Sequence, residues 1–168
     1  MMKPRIAILV GSKSDLPIIE KGINILKKLD VPTDITITSA HRSLKHTIKI
    51  VERYEKTGIE VFIVCAGLSA HLPGVVAGLT NLPVIGVPIG SSVVKGLDSL
   101  LSIVQMPTGI PVATVGINSV SNACLLAIEI LALKDKELKS KIKNYRKGLV
   151  KDILNDNKNL KKRFSQEK

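Results

Sequence analysis

The sequence is poor in aromatic residues and in cysteine. Its 168 residues include no Trp, two Tyr and two Phe, so the hydrophobic core has to be built from aliphatic side chains. The same scarcity argues against a protein that stacks nucleic-acid bases on aromatic rings. Cys65 and Cys124 lie in apolar runs without the CxxC spacing of metal or redox sites, so we predict buried thiols and no disulfide.

Long apolar runs are also missing. No run approaches the roughly 18 residues that cross a membrane. A short apolar run at residues 6–10 leads directly into a polar loop, which is unlike a secretory signal. We therefore expect a cytoplasmic protein with no membrane partner. The mean hydropathy of +0.24 is nevertheless high for a soluble monomer, which predicts that apolar surface is buried between subunits.

Positive charge is concentrated at the C-terminal end. Residues 134–168 carry 13 Lys and Arg against 5 Asp and Glu, a net charge of +8, whereas the chain as a whole carries +11. A basic tail can bind nucleic acid, or it can be a solvated helix that is rich in Lys. We favour the solvated helix because no zinc-finger spacing and no Gly/Arg-rich run accompany the charge, and we expect no nucleic-acid partner.

Strand patterns alternate with helix patterns along the chain. Apolar runs predict strands at 5–10, 60–65, 83–87 and 112–116, and the alternation of Ile35 and Ile37 with polar residues predicts a strand at 34–38. Helical periodicity predicts helices at about 16–29, 43–57, 73–79, 93–104, 121–133 and 136–154, with Asp15 as a cap and Pro17 in the first turn of the first helix. This alternation is typical of a parallel sheet with helices on both faces.

Three strand-to-helix loops are rich in polar side chains, and in a parallel sheet all such loops meet at one edge. They span residues 11–15, 39–42 and 66–74. Helix N-termini favour anions, so we expect a small substrate that carries a phosphate. Asp15 would repel a phosphate and is better suited to accept hydrogen bonds from sugar hydroxyls. The candidate binding residues are Ser12, Ser14, Asp15, Ser39, Arg42 and Leu72.

His41 is the strongest candidate for proton transfer. Histidine ordinarily titrates near neutral pH, so it can both take and give a proton. Arg42 next to it offers a planar fork of donors for phosphate or carboxylate. His71 is a second catalytic candidate, although it can also be a structural residue near a helix start, and His46 has the setting of a surface residue. Asp15 likewise remains open to a purely capping role.

The usual nucleotide and metal motifs are absent. The chain has no GxxxxGK[ST] loop and no GxGxxG after the first strand, so it gives no sign of binding ATP or NAD. No group of His, Cys, Asp and Glu has metal-ligand spacing. We expect neither a metal nor an organic cofactor.

Four motifs, in this order, resemble a known family. They are Gly11-Ser12-Lys13-Ser14-Asp15, Ser39-Ala40-His41-Arg42, Ala70-His71-Leu72-Pro73-Gly74 and the stretch from Asp98 to Pro107. The chain is similar over residues 5–133 to the N5-carboxyaminoimidazole ribonucleotide mutases of purine synthesis, the family of the phosphoribosylaminoimidazole carboxylase catalytic subunit. We accordingly predict a catalytic α/β domain at 1–133, with residues 134–168 as a basic C-terminal helix and tail of the same domain.

The resemblance implies a fold, an assembly and a mechanism. The fold is α/β, a three-layer sandwich with a flavodoxin-like parallel sheet and, here, an extended C-terminal helix; the assembly is a homo-octamer without metal or organic cofactor. The carboxylate moves from the exocyclic amine to a ring carbon through trapped carbon dioxide. His41 would be general acid and then base, and His71 would line the carbon dioxide region. Ser12, Asp15 and Arg42 would hold ribose and phosphate. The pocket should be closed and dry, with Leu68 and Leu72 as its apolar wall.

Two departures and three alternatives accompany the resemblance. The family usually has Gly-Gly-Ala-Ala-His where this chain has residues 67–71 with Leu68 and Ser69, and residues 117–123 contain less Gly and Ala than usual. A second branch of the family carboxylates the ribonucleotide directly with free carbon dioxide. That branch tends to have Lys after the key histidine and lacks the His-Leu-Pro-Gly loop, so Arg42 and His71 favour the mutase branch. A non-catalytic phosphate- or nucleotide-sensing module and a nucleic-acid-binding tail are the remaining alternatives.

Overall fold

Five parallel strands form the central sheet of the chain. The computed structural model describes residues 3–90 and 93–165. The strands are β1 Ile6–Val10, β2 Thr33–Ile37, β3 Val61–Gly67, β4 Val84–Ile89 and β5 Ala113–Thr114. The helices are α1 Leu16–Lys28, α2 Leu44–Thr57, α3 Leu72–Ala77, α4 Leu97–Val104, α5 Val120–Ala132 and α6 Lys136–Ser165. A short 3-10 turn, Lys13–Asp15, precedes α1.

The strand order is β2-β1-β3-β4-β5, and every neighbouring pair is parallel. This is the flavodoxin-like order, so the predicted fold class is confirmed. Val10 at the end of β1 is in register with Ile37 on β2 and with Cys65 on β3. The loops that follow these three strands therefore leave the sheet side by side.

Helices cover both faces of the sheet and make two apolar cores. On one face, Ile6, Ile8 and Val10 pack against α1 and α5. On the other face, Ala7 and Leu9 pack against α2, α3 and α4. The alternation along β1 is the consequence of a strand buried on both sides, and it accounts for the unbroken apolar run in the sequence.

Helix α6 starts on the body of the protein and then extends away from it. Leu138 and Ile142 are buried in the first core, and Arg5 forms an ion pair with Asp135 just before α6. Residues 146–164 are all exposed. The helix is longer than the predicted 136–154, because no Pro or Gly near residue 154 interrupts it. Residues 166–168 of the predicted tail lie outside the described part of the chain.

Two other predicted boundaries were wrong. Helix α4 starts at Leu97 and not at Val93, because Lys95 and Gly96 take left-handed backbone conformations with φ of 55° and 93° that end the preceding turn. Strand β5 keeps two residues, Ala113 and Thr114, of the five predicted. The remaining elements agree with the predictions to within one or two residues. Within the described ranges, no helix is long and apolar enough to span a membrane.

Candidate active site

A cavity of about 610 Å³ lies at the carboxyl edge of the sheet, between the loops that follow β1, β2 and β3. All the side chains that the sequence singled out line this cavity: Ser12, Ser14, Asp15, Ser39, His41, Arg42, His71 and Leu72. Their convergence follows from the parallel register, which places three strand ends next to one another. His46 does not line the cavity and is exposed on α2, as predicted.

The loop after β1 is organised by hydroxyl groups. Ser12 Oγ accepts a hydrogen bond from the Ser14 backbone N–H at 3.3 Å, which closes the 3-10 turn. The Ser14 hydroxyl lies 2.8 Å from Ser12 Oγ and 3.1 Å from a carboxylate oxygen of Asp15. It lies within donating distance of both oxygens, so this one hydroxyl links the side chains of Ser12 and Asp15.

Asp15 is buried at the floor of the cavity, where it is 4% exposed. Burial raises the pKa of its carboxyl above the usual value, although the Ser14 hydroxyl opposes the shift by bonding the ionised form. The group therefore contributes most to folding stability at low pH, and this contribution is lost as the pH rises through the raised pKa. Asp15 occupies the N-cap position of α1, as predicted, but its side chain makes no capping hydrogen bond to that helix.

The loop after β2 is held by a second set of hydroxyls. Thr38 Oγ1 and Thr47 Oγ1 are both buried and lie 2.8 Å apart, which ties the end of β2 to α2. The Ser43 hydroxyl accepts from the Ser39 backbone N–H at 3.1 Å. Ser39 Oγ in turn accepts from the Arg42 backbone N–H at 3.2 Å. These bonds fix the turn that presents His41.

Arg42 connects the first two loops. Its Nη2 donates to the Gly11 carbonyl oxygen at 3.2 Å, across 31 positions of the sequence. Gly11 itself lies close to β3, and its N–H donates to the Cys65 carbonyl at 2.9 Å. The guanidinium is therefore placed at the exposed rim of the cavity, where a negatively charged group of a ligand can reach it.

The loop after β3 is shaped by its backbone. Leu68 has a φ of +55°, a left-handed conformation that costs a non-glycine residue about 1–2 kcal/mol. The Ala70 N–H donates to the Leu68 carbonyl at 2.8 Å, and the His71 N–H donates to the Ser69 carbonyl at 2.7 Å. The loop thus reverses tightly and places His71 at the first turn of α3.

His41 and His71 are in direct contact. Nε2 of His41 lies 2.7 Å from Nδ1 of His71, and the two rings stand at 88° with centroids 5.0 Å apart. One of the two nitrogens carries the proton and the other accepts it. A proton gained or lost by His41 therefore changes the hydrogen bond to His71, which couples the second and third loops.

Sequence reasoning missed three features of this site. The hydrogen bond between the histidines joins residues that are 30 positions apart, so no local sequence pattern predicts it. Ser43 looks like a helix cap in the sequence, but its hydroxyl makes no capping bond and holds Ser39. The expected closed pocket is wrong for the single chain, because both histidines are exposed and Leu68 is 60% exposed at the rim.

No group of three or more His, Cys, Asp and Glu that could hold a metal ion is found among residues 3–90 and 93–165. The two cysteines are free and buried, and burial raises the pKa of the Cys124 thiol to about 12. These thiols are therefore uncharged at neutral pH and unsuited to nucleophilic chemistry.

Comparison with known proteins identifies the family. The sequence model of AIR carboxylase matches residues 5–152. The chain is 52% identical over 151 residues to the N5-carboxyaminoimidazole ribonucleotide mutase of Pyrococcus horikoshii, covering 90% of this chain and 85% of that protein. It is also 53% identical over 133 residues to the phosphoribosylaminoimidazole carboxylase of Ogataea methanolica, which spans 79% of this chain but 24% of that protein.

A solved structure has the same fold. PurE of Treponema denticola superposes with a TM-score of 0.84 at 34% identity, covering 92% of this chain and 96% of that one. Three of the four motifs that suggested the resemblance converge on the cavity, whereas the stretch from Asp98 to Pro107 is not among its lining residues. The chain therefore belongs to the AIR carboxylase family.

Proposed function

We propose that this protein is an N5-carboxyaminoimidazole ribonucleotide mutase of purine biosynthesis. The observation that carries the proposal is the hydrogen-bonded pair His41–His71 at a cavity that also contains Asp15 and Arg42. The match to the mutase of Pyrococcus horikoshii over 90% of the chain supports the same assignment. The reaction is an isomerisation, so it consumes no ATP and requires no net transfer of groups from a second substrate.

His41 is proposed as the group that moves the proton. As the carbamate of the substrate breaks, its carbon dioxide leaves and His41 donates a proton to the exocyclic amine. The ring carbon then forms a bond to carbon dioxide, and His41 removes the proton from that carbon, which restores the aromatic ring. One imidazole acts as acid and then as base, so it ends the turnover in the protonation state in which it began. His71 accepts or donates the matching hydrogen bond at each stage.

The remaining side chains are proposed to position the ribonucleotide. Arg42 lies at the rim and suits the phosphate, since its charge and its several donors match phosphate oxygens. Asp15, with Ser12 and Ser14 around it, suits ribose hydroxyls as an acceptor on the cavity floor. Ser39 lines the same wall as His41, and the buried Leu72 gives an apolar surface near the histidines.

We propose that assembly into a homo-octamer completes the pocket. Carbon dioxide has to be retained between the two steps, yet the rim of the cavity is exposed in the single chain. Apolar side chains are exposed on α4 and on the edge strand β2, and a monomer gains nothing from this exposure. The α4 group consists of Leu97, Leu101 and Val104, and the β2 group of Ile35 and Ile37.

Two wider features are part of the proposal. Residues 134–168 are proposed to belong to the same domain as residues 1–133, because Leu138 and Ile142 are buried in the core beside α1 and α5. A cytoplasmic location is proposed because Cys65 and Cys124 are free thiols, as is usual in a reducing compartment.

Direct carboxylation with free carbon dioxide is the second candidate, and the similarity to the Ogataea methanolica carboxylase favours it. An assay of the purified protein separates the two. The mutase should convert the carbamate ribonucleotide to the ring carboxylate at a rate that does not depend on bicarbonate. A protein that works only on aminoimidazole ribonucleotide with added bicarbonate would contradict the mutase assignment.

A further inference from the structure

The outer part of α6 carries an apolar stripe that nothing else in residues 3–90 and 93–165 covers. Every residue from Arg146 to Phe164 is exposed, whereas Leu138 and Ile142 at the start of the helix are buried against the body. The exposed apolar side chains are Leu149, Val150, Ile153, Leu154, Leu160 and Phe164. A solvated helix has no use for such a stripe, since its stability comes largely from packing one apolar face.

The stripe follows the heptad pattern of a coiled coil. Positions 150, 153, 157, 160 and 164 recur at alternating intervals of three and four residues. With Val150 as position a, Ile153 and Leu160 fall at d, and Asn157 and Phe164 fall at a. This is the spacing that keeps an apolar seam facing a second helix. The family match covers residues 5–152, so most of the seam lies outside the matched residues.

We propose that this segment forms a parallel two-stranded coiled coil with α6 of a second copy of the chain. The first reason is Asn157, the one polar residue in the seam. In a parallel pair, position a meets position a, so each Asn157 faces its own copy and the two side-chain amides can form a hydrogen bond. In an antiparallel pair, position a meets position d, which would bury the amide against Ile153 or Leu160.

The second reason is charge complementarity along the seam. Asp156 falls at position g and Lys161 at the following position e, and these two positions meet across a parallel coiled coil. The two-fold symmetry makes this contact twice. Leu149 at g and Leu154 at e also meet across the pair, which widens its apolar strip near the body.

The seam is short, so it works together with other contacts between copies. Two heptads pair weakly when they are free in solution, but helices attached to bodies that already associate meet at a high effective concentration. In this arrangement, pairing of the α6 helices determines which two copies of the chain lie next to each other and fixes their relative orientation. It is independent of the reaction that the cavity performs, and it is tested without any assay of activity.

Engineered cysteines in the full chain test the pairing. Leu160→Cys places a thiol in the seam, and Asn155→Cys places one at position f on the opposite side of the same helix. Both native cysteines are buried, so the new thiol is the reactive one. Under mild oxidation with diamide, which accepts the two electrons and two protons of the thiols, we expect Leu160→Cys to form a disulfide-linked dimer at least tenfold faster than Asn155→Cys on a non-reducing gel.

Three results would overturn the proposal. Equal rates of disulfide formation for Leu160→Cys and Asn155→Cys would show that the helices meet only by random collision and do not pair along the seam. Linked dimers that appear only when Leu160→Cys is mixed with Val150→Cys would show an antiparallel pair. A second variant guards against an effect of the cysteine itself: adding Ile153→Asp to Leu160→Cys should slow the linkage at least tenfold, and an unchanged rate would contradict a seam.

Discussion

The two histidine loops are built in opposite ways. The loop after β2 holds His41 through side chains, with the buried hydroxyl pair Thr38–Thr47 beneath it and Ser43 bonded to Ser39. The loop after β3 holds His71 through its backbone, with a left-handed Leu68 and two short peptide hydrogen bonds. Both loops place an imidazole at the same point, where His41 Nε2 lies 2.7 Å from His71 Nδ1.

This difference indicates what each loop can do. A turn that is fixed by several buried and half-buried hydroxyls keeps its shape when a proton moves, which suits His41 as the proposed proton carrier. A turn that includes one strained residue and an exposed rim has a smaller barrier to rearrangement. We therefore expect changes to the first loop to affect catalysis and stability strongly, and changes to the second loop to be milder.

The largest effect is expected from His41→Asn. Removing the proposed general acid and base should lower kcat by about 10²–10⁴-fold, because positioned proton transfer contributes that much. The fold should be unaffected, since the side chain is exposed. Steady-state kinetics on the carbamate ribonucleotide measure the effect, and His46→Asn on the outside of α2 is the matched control. A His41→Asn protein with near-normal turnover would remove the proposed role.

Arg42→Ala should weaken substrate binding. Loss of a charged hydrogen-bonding partner for the phosphate costs about 1.5–3 kcal/mol, which corresponds to roughly 10–150-fold in affinity. Calorimetric titration with a ribonucleotide monophosphate ligand measures the affinity. The control is Lys45→Ala, which removes an exposed cation three positions further along the chain. If Arg42→Ala binds the phosphate ligand as tightly as the unmodified protein does, the assignment of the phosphate position is wrong.

Thr47→Val tests the side-chain support of the first loop. It leaves the buried Thr38 hydroxyl with the Ser43 hydroxyl at 3.5 Å in place of its partner at 2.8 Å, which should cost about 1 kcal/mol of unfolding free energy in urea melts. The double variant Thr38→Val with Thr47→Val removes both polar groups and should recover most of the loss. A double variant that is as unstable as the sum of the two single variants would show that the hydroxyl pair is not the cause.

The smallest effect is expected at Leu68. Because its φ is +55°, Leu68→Gly should be more stable than Leu68→Ala by about 1 kcal/mol, and both changes lose little burial. The order should reverse at Ser69, which has an ordinary φ, so that Ser69→Gly is less stable than Ser69→Ala. The same order at both positions would contradict the backbone account of the second loop.

The parts of the fold that the sequence predicted are those that local patterns determine. The buried run at Ile6–Val10 and the glycine at Gly58 after α2 mark a strand and a helix end without reference to the rest of the chain. The topology then predicts that the ends of β1, β2 and β3 meet. For this reason Ser12, Asp15, His41, Arg42 and His71 could be placed around one cavity from their positions alone.

The features that escaped prediction depend on tertiary contacts or on unusual backbone. The start of α4 is set by the left-handed backbone conformation of Lys95, which the residue type does not predict because lysine rarely adopts it. Ser43 occupies the N-cap position of α2, but its hydroxyl accepts from the Ser39 backbone N–H and makes no capping bond. The contact of His41 with His71 depends on ring orientations that only the packed loops determine.

A double-mutant cycle on the two histidines tests the central claim most directly. The claim is that His41 and His71 work as one hydrogen-bonded unit, so the residual kcat of His41→Asn should fall little further when His71→Asn is added. His71→Asn alone should reduce kcat by about 10-fold or more, since it removes the partner of His41 and not the proton carrier. Losses that multiply in the double variant would show two independent groups and would contradict the account.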